Sequence, residues 1–327
     1  MASSRSTVAD STSHPRIIVI SIWTHYPDLM RLQVASLRQF LTNYSELQYI
    51  AVLNSRSKDT NQHLADTAVS LDVTYLLMDI NFNGDASAHH GHALNQGLKF
   101  LLMEKGPISL NAETDILWML DSDMFLTEPT DLSIELQHNQ IVSMMQLRFV
   151  VRYLWPNFLI AKFANLQWYR ELDFAPAVAQ DANGTKWSLD SGGSTSIFVA
   201  QHPEINITGI RNIECKDESD VCIFYRREVK GVPRQCSPPT IMEFSERQDR
   251  CASKSLLTKE QVSDCDQFAR FYHLGSAGSN WRGCPERHLR EKRRRLLEYL
   301  QAKMSKTIKL QHFVKDSMVW RLLAKVL

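Results

Sequence analysis

From Pro15 to Arg148 the chain repeats one unit: an apolar, β-branched run, a polar tip, then a stretch with apolar residues at helical spacing. "RIIVISIW" (Arg16 to Trp23) reads as a buried strand, and "DLMRLQVASLRQFL" after it reads as a helix. "LQYIAVLN", a candidate helix at "NQHLADTAVSL" and "VTYLLMDI" follow, and "HALNQGLKFLLMEKG" has helical periodicity with a glycine at its end. "DILWMLDSDMF" is the fourth strand candidate and "QIVSMMQLR" the fifth. This alternation predicts an α/β fold with a mainly parallel sheet covered by helices on both faces. Ligands of such open sheets bind beyond the carboxyl ends of the strands. The polar residues collect there: Thr24 and His25, Asn54 and Ser55, Asp79, and Asp121 to Asp123.

At 327 residues and 44% hydrophobic content the chain can bury a large core. Its net charge of +1 gives no reason to expect a nucleic-acid partner. The distribution is uneven, however: Trp281 to Leu327 hold 13 Lys and Arg against 4 Asp and Glu, leaving 24 basic and 32 acidic residues before them. No apolar run approaches the roughly 20 residues of a membrane span, and the first fourteen residues lack a signal peptide's apolar stretch. The expectation is a soluble or peripheral protein, with the cytoplasm favoured. All six cysteines fall between Cys215 and Cys284. Disulfides, free thiols and a structural zinc all remain open for them, although no C-x-x-C pair is present. Asn43, Asn183 and Asn206 begin glycosylation triplets that matter only in a secretory compartment. The expected organisation is a disordered segment over 1–14, a main domain over 15–284 with a cysteine-bearing insertion at about 211–266, and a basic helical tail over 285–327.

The first strand is not followed by Gly-x-Gly-x-x-Gly, and no Gly-x-x-x-x-Gly-Lys-Ser/Thr occurs, so a nucleotide on this sheet needs another hold on its phosphates. "LDSDMF" offers one. Two carboxylates at i and i+2 beyond a strand can approach Mg²⁺ or Mn²⁺, which take oxygen ligands together with substrate phosphates. The bland alternative is a turn for which Asp and Ser are simply suitable. "LDSDMF" resembles the Asp-x-Asp motif of nucleotide-sugar glycosyltransferases with the GT-A fold, in which a Rossmann-like sheet binds the sugar nucleotide through a metal.

Two more segments carry that resemblance. "HGHALNQGLKFL" is similar to the Ala-x-Asn-x-Gly-Leu helix beside the family's sugar-nucleotide pocket, with Ala93, Asn95, Gly97 and Leu98 and one extra residue between Ala and Asn. "FYHLGSAGSNW" resembles the late His-x-x-Gly-x-x-Lys-Pro-Trp segment of glycogenin-like glycosyltransferases. His273 and Trp281 keep the separation there, while Ser279-Asn280 replaces Lys-Pro. In that family the lysine can neutralise the diphosphate, so the resemblance implies that another base does so here. The resemblance implies a metal held by Asp121, Asp123 and His273. It also implies donor contacts from Thr24, His25, Asn54, Asp79, His92, Asn95, Asp121, Ser122, Asn280 and Trp281.

"KWSLDSGGSTSIF" sets Asp190 before Gly192 and Gly193, where GT-A enzymes line the donor sugar and the acceptor. Asp190 is the candidate catalytic base, with an ordinary Asp-Ser-Gly-Gly turn as the alternative. Tyr153 and Trp155 are candidate acceptor contacts with Gly192 and Gly193, against core packing for the two aromatics. The function implied is metal-dependent transfer of a sugar from a nucleoside-diphosphate sugar to a glycan, glycoconjugate or lipid-linked acceptor. Asp190 leans towards inversion and the His273 segment towards retention, so both stay open. The alternatives are a non-catalytic carbohydrate- or partner-binding protein on a GT-A scaffold, or a nucleotidyltransferase. For the tail, Leu296, Leu297 and Leu300 share a helix face. They suit either packing on the main domain or, with the surrounding bases, peripheral contact with an anionic membrane.

Overall fold

The apolar runs become strands where β-branched residues concentrate, and the helical patterns fill the gaps between them. In the computed structural model β1 (Arg16–Trp23), α1 (Pro27–Phe40), β2 (Glu46–Leu53), α2 (Lys58–Ser70), β3 (Thr74–Leu77), α3 (Ala86–Leu102) and β4 (Ile116–Leu120) follow in that order. The structure describes residues 14–78, 85–103, 106–137, 139–148, 151–180, 186–205, 207–214, 223–227, 271–273, 296 and 300. Asp79, Asn280, Trp281, the cysteines and most of the basic tail lie outside them.

A three-residue turn separates β4 from β5 (Met124–Leu126), and α4 (Leu132–Glu135) leads to β6 (Ile141–Arg148) and the long β7 (Val151–Lys162). Then come α5 (Leu166–Glu171), the hairpin of β8 (Ala177–Gln180) and β9 (Lys186–Leu189), α6 (Thr195–Gln201), β10 (Ile207–Glu214), β11 (Ile223–Arg227) and β12 (Phe271–His273). Among the described residues the main sheet has the order β11-β10-β6-β7-β4-β1-β2-β3. β3, β2, β1 and β4 are mutually parallel, β7 is antiparallel to both β4 and β6, and β10 is parallel to β6. The fold is therefore mixed α/β with a mostly parallel sheet, the class the alternation predicts.

Strand alternation sends side chains to two separate cores, as the two-residue period requires. Val19, Trp23, Tyr49, Leu53, Trp118 and Leu120 pack on one face with α1 and α2. Ile18, Ile20, Ile50, Val52, Leu117 and Met119 pack on the other with α3 and Phe174. Gly97 brings α3 close to the sheet. A Cβ there would meet Val52 Cγ2 at 2.8 Å and Ile20 Cγ2 at 3.2 Å, so the glycine is needed for close approach. Leu296 and Leu300, both helical and with no exposed surface, complete the first core, so this part of the tail's leucine face is covered by protein. Among the described residues no helix is long and apolar enough to cross a membrane.

β7 is the element that the apolar pattern did not signal. Its Pro156 would remove a ladder donor from a central strand. The chain resolves this with a bulge: Ser143 pairs with Leu159 but Met144 pairs with Trp155, leaving Pro156 between the two registers. The Ser143 hydroxyl donates to the Phe158 carbonyl at 3.1 Å within that irregularity. Past the bulge, β6 and β7 continue beyond the carboxyl end of β4 and wall one side of the edge where the polar tips collect.

Candidate active site

Three parallel strands bring their tips to that edge in register, because Trp23 pairs with Leu53 and Leu53 with Leu77, while Met119 of β4 pairs with Ile20. Thr24 is half-buried and His25 exposed just after β1. Asn54 follows β2, buried, with its backbone N–H on the Trp23 carbonyl at 2.7 Å and its side-chain amide donating to the His89 carbonyl at 3.2 Å. The tip of β2 is thereby tied to the first turn of α3. That helix starts earlier than its apolar pattern suggests: Asp85 caps it by accepting the Ala88 N–H at 2.8 Å, and His89, His90 and His92 all lie within the helix. His92 is half-buried.

The acidic turn lies between β4 and β5. Asp121 is half-buried, whereas Ser122 and Asp123 are buried at 6% and 5% exposure. Asp121 Oδ1 accepts the Ser122 N–H at 2.8 Å, and the Met124 N–H closes the turn on the Asp121 carbonyl at 3.1 Å. β5 then pairs antiparallel with β12, setting residue 273 directly across from Met124. Two segments distant in sequence, each expected to furnish ligands, thus meet in a backbone ladder. Among the described residues no three His, Cys, Asp or Glu side chains form a group that could hold a metal ion. The side chain of His273 is outside what is described.

A second acidic turn carries Asp190. Its Oδ1 accepts the Ser191 N–H at 2.8 Å and also the Ser87 hydroxyl, while His90 Nδ1 lies 3.2 Å from Ser191 Oγ. Asp190 is thereby fixed against the N-terminal turn of α3. Gly192 has φ of 88°, and a Cβ on it would meet the Leu154 carbonyl at 2.3 Å, so the turn fits against β7 only with glycine. Thr195 secures the same contact by accepting the Leu154 N–H at 2.8 Å.

Three of the expected contacts are packed or bonded within the protein in this structure. Tyr153 has no exposed surface, so its ring offers no face to an acceptor. Trp155 is only partly buried and packs against the first core. Asn95 donates to Asp173 at 2.6 Å and accepts the Phe174 N–H at 2.9 Å, which makes it a brace between α3 and the 173–175 segment. Gly91 lies on the same seam, where a Cβ would meet the Phe174 carbonyl at 2.2 Å.

With this geometry in view, the chain is similar in structure to several solved glycosyltransferases. Mannosyltransferase PcManGT from Pyrobaculum calidifontis, in complex with GDP-Man and Mn²⁺, matches at 15% identity over 61% of this chain and 55% of that one, with a TM-score of 0.38. The apo-form glycosyltransferase GlyE of Streptococcus pneumoniae matches at 11% identity over 60% of this chain and 45% of its own, TM-score 0.32. The galactosyltransferase LgtC, in complex with donor and acceptor sugar analogues, matches at 10% identity over 59% of this chain and 73% of its own, TM-score 0.35. These neighbours are GT-A-type glycosyltransferases. The matched part of this chain spans about half the length of the first two. No protein-family model and no curated protein matches the chain.

Sequence reasoning missed Gln33. It has no exposed surface and donates to the carbonyls on both sides of the acidic turn, Asp121 at 2.6 Å and Met124 at 2.7 Å. A signal was available: Gln33 stands four residues from both Leu29 and Leu37, on the apolar face of α1. A polar residue on such a face needs a buried partner.

Proposed function

We propose that the chain is a metal-dependent glycosyltransferase of the GT-A kind, moving a sugar from a nucleoside-diphosphate sugar to an acceptor hydroxyl. The observation that carries this reading is the junction of β4 and β5. Paired carboxylates stand beyond the carboxyl end of a parallel strand, and the ladder with β12 sets residue 273 opposite Met124, next to Asp123.

The donor set would suit a hard divalent cation: two carboxylates within one turn, Asp121 half-buried and Asp123 buried, and a histidine in the sequence of the paired strand. Asp121, Asp123 and His273 would hold Mn²⁺ or Mg²⁺. Such an ion, when bound, supplies Lewis-acid stabilisation of the charge that develops on the departing diphosphate. Thr24, His25, Asn54, Ser122 and His92 would contact the donor from the strand tips and α3, joined by Asp79, Asn280 and Trp281 from outside the described residues. Asp190, whose Oδ1 is already occupied by Ser87 and Ser191, would receive the acceptor's hydroxyl proton in an inverting reaction. Gly192 and Gly193 would give the acceptor close access to the backbone at that turn.

The test is release of nucleotide from a panel of UDP- and GDP-sugars in the presence of Mn²⁺. Turnover on at least one donor that stops in excess chelator is expected. Full turnover in chelator would remove the metal, and no turnover on any donor would favour a non-catalytic protein on this scaffold.

A further inference from the structure

Gln33 is one member of a buried chain of hydrogen bonds. Its Nε2 donates to the Asp121 and Met124 carbonyls, its Oε1 accepts from the Tyr49 hydroxyl, and Tyr49 in turn accepts from Trp23 Nε1 at 3.1 Å. The direction of each bond is forced. Indole N–H and the amide NH₂ only donate and carbonyls only accept, so the Tyr49 proton must point at Gln33. Burial pushes the Tyr49 phenol well above its ordinary pKa, which keeps that proton in place at any working pH.

The chain ends on the turn that bears both acids. Asp121, Ser122 and Asp123 lie outside β4 and β5, so the sheet ladder does not hold them. The two carbonyls that Gln33 grips are that of Asp121 itself and that of Met124 just past Asp123, and Trp23 anchors the far end of the chain at the tip of β1. Three side chains from α1, β2 and β1 therefore link the acidic turn to the elements around it. Bonds in such a sequence polarise one another and act together.

We infer that Gln33 is a positioning residue for the acidic turn, and that Trp23, Tyr49 and Gln33 form one polarised chain that orients the Asp121 and Asp123 carboxylates. The inference rests on the reading of those acids as metal ligands, and two readouts keep the two apart. The first is amide hydrogen exchange in the metal-free full-length protein; the second is binding of Mn²⁺ alone, followed by loss of the free ion's paramagnetic resonance signal. Gln33→Met keeps the side chain's length and removes all three bonds, while Tyr49→Phe removes only the hydroxyl.

Gln33→Met should raise exchange of the 121–124 amides about tenfold while β1 and β2 keep wild-type protection, and should weaken Mn²⁺ binding by about the same factor. Tyr49→Phe should move both readouts in the same direction by less. The double variant should be no worse than Gln33→Met, because groups in one chain are not additive. Unchanged exchange at 121–124, or a uniform rise across the whole sheet, would overturn the positioning role whatever the metal does. Mn²⁺ binding unchanged in Asp123→Ala would overturn the metal reading alone. If Gln33→Met does not fold, Tyr49→Phe decides by the same two readouts.

Discussion

Among the described residues the dipeptide Asp-Ser stands at two polar turns, Asp121-Ser122 and Asp190-Ser191, and the two are built alike only at the first step. In both, the aspartate Oδ1 accepts the N–H of the following serine at 2.8 Å. Beyond that they diverge. The Asp121 turn makes no use of left-handed backbone and is gripped from beneath by the buried amide of Gln33. The Asp190 turn depends on Gly192 at φ 88° and is held from the side by Ser87 of α3. The difference separates two kinds of precision. One turn places two acids with its backbone carbonyls clamped, as suits a cation site. The other fixes a single carboxylate by a direct side-chain bond, as suits a group that handles one proton.

The sharpest break between them is catalytic. Asp123→Ala should lower transfer about 10³-fold, roughly 4 kcal/mol, with the thermal midpoint nearly unchanged; steady-state kinetics and circular dichroism check this. Next comes the backbone. Gly192→Ala should destabilise the protein by roughly 3 kcal/mol in denaturant unfolding, since the new Cβ meets the Leu154 carbonyl in a left-handed conformation. Ser122→Ala, at the other turn, should cost under about 1 kcal/mol because no such conformation is involved there.

Asp190→Asn keeps an oxygen that can accept from Ser87 and Ser191 while removing the base. If the protein is the inverting transferase proposed above, turnover should fall about 10²-fold, near 2.7 kcal/mol, with donor affinity unchanged. Near-normal turnover would assign Asp190 to the turn alone. The smallest effect is expected from Ser87→Ala, about fivefold in turnover or 1 kcal/mol, read by the same kinetics.

Much of the first half of the fold was legible because its units are local. β1 was readable to the residue, and α1, β2 and α2 within a few positions, since each carries its own apolar period. β7 was not, because Pro156 argues against a central strand and only the bulge with Ser143 and Met144 makes it admissible. β5 and β12 are too short to give a periodic signal; they exist because they pair with each other. The acids were legible as candidates from their type and spacing, and the structure places Asp121 and Asp123 in the turn between β4 and β5. The braces were not: Asn95 was read as a donor contact, and Tyr153 as an acceptor contact. Which polar or aromatic group faces a ligand and which faces the core depends on neighbours such as Asp173, distant in sequence. The tail leucines were legible as a face, and the structure shows Leu296 and Leu300 meeting the first core.

The division of labour between the two turns is tested most directly by calorimetric titration of UDP and GDP into the full-length protein, with Mn²⁺ and with chelator, for wild type, Asp123→Ala and Asp190→Asn. Mn²⁺-dependent binding of one nucleotide should vanish in Asp123→Ala and persist at wild-type affinity in Asp190→Asn. Binding that is equal in all three proteins, or lost only in Asp190→Asn, would contradict the assignment of the cation and diphosphate to the Asp121–Asp123 turn.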